Sequence, residues 1–164
     1  MQVMRDRIIQ AALIAGTLDI LSAFLFAGMA DMGPVAVLQF VASGPFGDGA
    51  KGDPAWFWAT IGLAVHFAIM ACMAAAYMAV ARQVPALRQH SIAAGLFYGL
   101  LLWLVMYWII QPLRWPELWL PDIYAGRTFG RIAWGVGNQI FSHCILVGLP
   151  IAWIAARHPG QTRA

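Results

Sequence analysis

Three ionisable side chains sit deep in apolar surroundings: Asp19 in "GTLDILSAFLF", His66 in "LAVHFAIM" and His143 in "NQIFSHCILVG". An aspartate at the centre of a membrane-embedded helix costs about 2.5–3.5 kcal/mol on insertion scales, so such a residue is expected to have a partner and a use. A carboxylate and an imidazole can share a proton or a charge-assisted hydrogen bond, which offsets part of that cost. Imidazole is also the side chain whose ordinary titration lies near neutral pH. Gln139, one helical turn before His143, and Ser22, three residues after Asp19, extend the set into a polar network. Asn138 projects about 100° away from Gln139. Asp19, His66, His143, Gln139 and Ser22 are therefore expected to form a ligand or proton site at one depth, with Asp19 as the counter-charge.

Other uses of the same residues stay open. The polar side chains could simply staple helices together, at about 0.6 kcal/mol per contact. The two histidines could ligate a b-type haem from opposite sides or, with Asp19, hold a metal ion. A protein of the first kind would be a non-catalytic accessory or assembly subunit, one of the second an electron-transfer protein. No catalytic residues emerge, and the reading leans away from an enzyme.

The elements that must position these side chains follow from composition. The chain has 164 residues, of which 62% are hydrophobic and only 10% charged, against about 25% charged in a soluble domain. Four windows reach the ~20 apolar residues that cross a bilayer: about 8–30, 56–81, 92–112 and 132–156. Together they predict one domain, 1–164, an all-α antiparallel four-helix transmembrane bundle. A signal peptide is a poorer account of the first window, because its apolar run is too long and Asp19 interrupts it. On that first helix, Ala12, Ala15, Gly16, Asp19, Ser22, Ala23 and Ala27 share a small-residue face. Ile14, Leu18, Leu21 and Leu25 form the opposite one, suited to lipid. Residues 34–43, apolar but too short to span, predict an interfacial or re-entrant helix between helices 1 and 2. Asp53 and Pro54 read as the N-cap and first-turn proline of the second spanning helix. Gly95 and Gly99 form a GxxxG pair for helix packing, within the bundle or in a homodimer or a complex with another membrane protein. Pro150 is expected to bend the last helix by removing the bond to the Leu146 carbonyl.

Charge encodes orientation. The net charge of +3 is spread over helix ends, with no patch suited to nucleic acid. Arg5, Arg7, Arg82, Arg88, Arg157 and Arg163 flank one set of ends. Lys51, Arg114, Arg127 and Arg131 at the other set are mixed with Asp31, Asp48, Asp53, Glu117 and Asp122. By the positive-inside rule both termini are cytoplasmic. The glycines of "GDGAKGDP" lack phosphate-loop spacing. Cys72 and Cys144 read as small buried side chains, and Met29, Met32, Met70 and Met73 as gap-fillers rather than copper ligands. His90 and His158, beside arginines, read as solvated.

The segments "GTLDILSAFLFAG", "VLQFVASGPFG", "GLAVHFAIMACMAAAY", "GLFYGLLLWLVMYWIIQPL" and "SHCILVGLPIAW" together resemble a family of small, uncharacterised bacterial inner-membrane proteins with four helices. The likeness runs from about Gly16 to Trp153 and includes Asp19, Gln39, Ser43, Gly44, His66, Pro112 and His143. It implies a bacterial cytoplasmic membrane and implies no activity. The "GDGAKGDP" turn and the tryptophan-rich stretch after Pro112 are individual to this chain.

Overall fold

The computed structural model describes residues 2–157; His158, read above as solvated, lies outside the described residues. All the regular elements among them are helical. We label the five main helices α1 (Gln2–Gly28), α2 (Pro34–Phe46), α3 (Ala55–Gln83), α4 (Ser91–Arg114) and α5 (Phe129–Ala156). Helices α1, α3, α4 and α5 have 27, 29, 24 and 28 residues and are long and apolar enough to cross a membrane. Even the shortest reaches about 36 Å at 1.5 Å per residue, against a hydrocarbon core of about 30 Å. Short helical turns at Asp48–Lys51, Ala86–Gln89, Pro116–Leu118 and Leu120–Tyr124 occupy the connections. The chain groups into two compact units, Met1–Val80 and Ala81–Ala164, divided inside α3.

In the first unit, α1 buries Ala11, Ala12, Ala15, Gly16, Ile20 and Ser22 and exposes Ile14, Leu18, Leu21 and Leu25. The small side chains let the neighbouring helix come close, and the large ones in this set other than Ile20 are left for the surroundings. The helix starts several residues before the expected Ile8, because its charged first turns project outward; the Arg5–Asp6 pair there, at 3.6 Å, is exposed. It closes where Met32 N–H bonds the Ala27 carbonyl at 3.0 Å across Asp31, whose φ is 61°, a left-handed C-terminal turn that aspartate tolerates.

Helix α2 runs to Phe46, three residues past the expected end. Pro45 removes only the bond to the Val41 carbonyl, and near a helix end that loss is small. The Ser43 hydroxyl donates to the Phe40 carbonyl at 2.7 Å, and Gly47, at φ 81°, closes the helix through its N–H onto the Ser43 carbonyl. Buried Gln39 donates from Nε2 to the Gly52 carbonyl at 2.8 Å, tying down the connection to α3. That helix begins at Ala55, one residue before the expected window, and its first carbonyl acceptor is Pro54, which bonds Trp58 N–H at 3.3 Å, so Pro54 rather than Asp53 holds the cap position. Helices α2 and α3 touch at Gly62, where any Cβ would overlap the Leu38 carbonyl. Backbone cannot step aside as a side-chain tip can, so Gly62→Ala is expected to cost about 1–3 kcal/mol, measured as a shift in the unfolding midpoint in detergent–SDS mixtures.

In the second unit, α4 and α5 pair in opposite directions. A Cβ on Gly95 would lie 2.9 Å from the Gly148 carbonyl, one on Gly99 would overlap the His143–Cys144 backbone, and Trp103 reaches Gln139. The GxxxG pair thus packs two helices of one chain. Both helices widen before a proline. Gln111 N–H bonds back five residues to Met106, just before Pro112, and Leu149 N–H bonds back five residues to Cys144, just before Pro150. A proline ring clashes with the carbonyl four residues back, and one π turn relieves it while rotating the face that follows.

Candidate functional site

Polar side chains gather in each unit. In the first, His66 belongs to the buried ridge Ala59, Gly62, His66, Met70, Ala74 on α3, spaced by three or four residues. It is 6% exposed. Its Nε2–H donates to the Gly16 carbonyl of α1 at 2.9 Å. A carbonyl has no proton to give, so in the neutral ring the proton must sit on Nε2. Gly16 permits this approach because it has no side chain; a Cβ there would meet the Phe67 ring at 2.8 Å and Met70 at 3.2 Å. The Phe67 ring also stands edge-on to the imidazole, centroids 5.3 Å apart. Asp19, one turn beyond Gly16 on α1, is half-buried, and Ser22 is buried; both have interactions of their own. The histidine in the apolar run is therefore explained first by a main-chain carbonyl, with the carboxylate one turn away.

In the second unit, His143 is half-buried within the π turn of α5. Its Nδ1–H donates to the Gln139 carbonyl at 3.0 Å. The two histidines are thus held as opposite tautomers, His66 with hydrogen on Nε2 and His143 with hydrogen on Nδ1. The Gln139 side chain faces α4, where its Oε1 accepts from Trp103 Nε1 at 3.1 Å. Tyr107, one turn after Trp103, stands edge-on to His143 with centroids 5.6 Å apart, and Trp103 and Tyr107 pack at 6.4 Å. On the residue before Gln139, Asn138 Oδ1 is buried and has no hydrogen-bond partner among the described residues.

Expected residues therefore divide by unit: Asp19, Ser22 and His66 in the first, Gln139 and His143 in the second. Trp103 and Tyr107 escaped the sequence reading, yet a signal was present. Gly95, Gly99, Trp103 and Tyr107 follow at steps of four, one ridge of α4, and carrying the GxxxG series forward two steps reaches both aromatics. The Trp103–Gln139 bond is expected to show a coupling of about 1 kcal/mol in a Trp103→Phe, Gln139→Leu double-mutant cycle.

His66 Nε2 carries the hydrogen that bonds Gly16, in a contact closed by Phe67 and Met70, which leaves the lone pair of the neutral ring on Nδ1. Among the described residues, no group of three or more His, Cys, Asp or Glu side chains is arranged to hold a metal ion. Cys72 lies exposed, on the side of α3 away from the His66 ridge, which corrects its reading as buried; Cys144 is buried, and both are free thiols. Met70 fills the gap beside Gly16, while Met29 and Met32 are exposed. Compared with known protein families, curated proteins and solved structures, the chain matches none of them.

Proposed function

We propose that this chain is a multi-pass protein of a bacterial cytoplasmic membrane, and that its intramembrane polar residues bind or conduct protons or a small solute. In this reading α1, α3, α4 and α5 form an antiparallel four-helix bundle, both termini are cytoplasmic, and α2 lies at or dips into the opposite interface. The arginine excess at one set of helix ends supports the orientation.

The observation that carries the reading is His66, a buried imidazole pinned through Nε2–H to Gly16, one turn from the Asp19 carboxylate. With Nε2 committed, Nδ1 is the atom that gains or loses a proton, and Asp19 supplies the counter-charge. His143 is the complementary case. Its Nδ1 is committed to Gln139, so Nε2 carries the exchange, beside Tyr107. The buried Asn138 oxygen is a place where a polar solute or water could donate.

The test is flux in proteoliposomes. Purified protein with an internal pH dye should dissipate an imposed pH gradient faster than empty vesicles, and Asp19→Asn should remove most of the difference. Equal rates with and without protein, repeated for small polar solutes, would sink the proposal. The His66–Gly16 bond also favours a second reading, a non-catalytic accessory subunit whose polar residues staple helices. In that case stability would fall in the variants and no flux would exist to lose.

A further inference from the structure

The first half of α5 has two unlike sides. On one, a Cβ at Gly135 would overlap the Tyr124 hydroxyl, so that side is covered by the Leu120–Tyr124 turn. On the other, Gly130, Trp134, Gly137 and Phe141 follow at steps of four, three and four and share a face. Trp134 is 61% and Phe141 48% exposed, and nothing lies within 4 Å of a Cβ placed on Gly130 or Gly137. An indole therefore stands out between two bare notches. At the outer end are Arg127 and Arg131, both exposed. Among the described residues neither guanidinium has an ion pair or hydrogen bond, and residues 126–141 contain no acid.

We infer that this face seats one anionic phospholipid, an inference that rests on the membrane reading above. Guanidinium forks match phosphate oxygens in a bidentate way, and tryptophan prefers the headgroup boundary. The notches and Phe141 then accept an acyl chain. The order along the helix is charge, indole, apolar groove. From Arg127 to Phe141 is 14 residues, about 21 Å at 1.5 Å each, which is close to one leaflet of a bilayer about 40–45 Å thick. A free phosphate would use only the arginines. A zwitterionic lipid would bring its own ammonium group to compete with them.

The experiment uses the full chain in detergent, with native mass spectrometry reading retention of phosphatidylglycerol or of phosphatidylcholine with the same acyl chains. Wild type should hold phosphatidylglycerol about ten-fold more tightly. Arg127→Gln with Arg131→Gln should bring the two lipids within about two-fold, and Arg131→Lys alone should keep most of the preference. Gly137→Leu, which fills a notch, should weaken both lipids. An unchanged preference in the double variant would overturn the seat, as would inorganic phosphate competing as well as lipid. Alkaline carbonate extraction separates the two failures. Protein released from membranes sinks the membrane reading, whereas retained protein without lipid preference sinks only the seat.

Discussion

Gly99→Leu is expected to destabilise the second unit by about 3 kcal/mol, while Gly137→Leu should change stability by less than about 0.5 kcal/mol. Both glycines lie in membrane-length helices, so helix propensity alone would make both substitutions mildly favourable. Their surroundings decide otherwise. A Cβ at Gly99 would overlap the His143–Cys144 backbone, whereas at Gly137 it would meet nothing within 4 Å. Because the obstacle at Gly99 is main chain, α4 must move away from α5, and the Trp103–Gln139 bond and the Tyr107–His143 ring contact move with it. The measurement is the unfolding midpoint in detergent–SDS mixtures, read by circular dichroism. Equal midpoints for the two variants would show that α4 and α5 do not pack through this ridge.

The second large effect is on transport. His66→Phe keeps a ring of similar size and removes both the proton-accepting nitrogen and the bond to Gly16. Its stability cost should be about 1 kcal/mol, the usual worth of one such bond, whereas proton flux should fall at least about ten-fold, the loss that follows when one committed proton-transfer group is removed. Asp19→Asn is the sharper probe, since the amide keeps hydrogen-bonding capacity and loses only charge. Its flux should fall by a similar factor with the unfolding midpoint nearly unchanged. The two readouts must be taken together. A drop in stability of several kcal/mol, with no flux in wild type, would assign these residues to helix stapling instead.

Much of the fold was legible in residue order. The four long helices follow from apolar runs of sufficient length, and the two faces of α1 follow from where alanines and leucines recur. A departure from regular helix near Pro150 was readable from its missing N–H, though it was expected as a bend and the structure has a π turn before it. All of these are local properties, set within a few turns of one helix. The end of α2 was misjudged because Pro45 weighs little where only one bond remains to be lost, and Ser43 bonds the chain locally.

The partners of the polar residues were not legible. Composition placed His66 in an apolar helix but could not say that its nitrogen meets the Gly16 carbonyl. That bond depends on how far α3 slides against α1, and on a glycine fifty residues away leaving the space. Trp103 and Tyr107 joined Gln139 and His143 for the same reason: the register of α4 against α5 is set where glycines meet backbone. The His66 tautomer followed only once two helices were placed side by side, because a partner across an interface belongs to neither sequence segment alone, whereas that of His143 is set inside α5 by the Gln139 carbonyl.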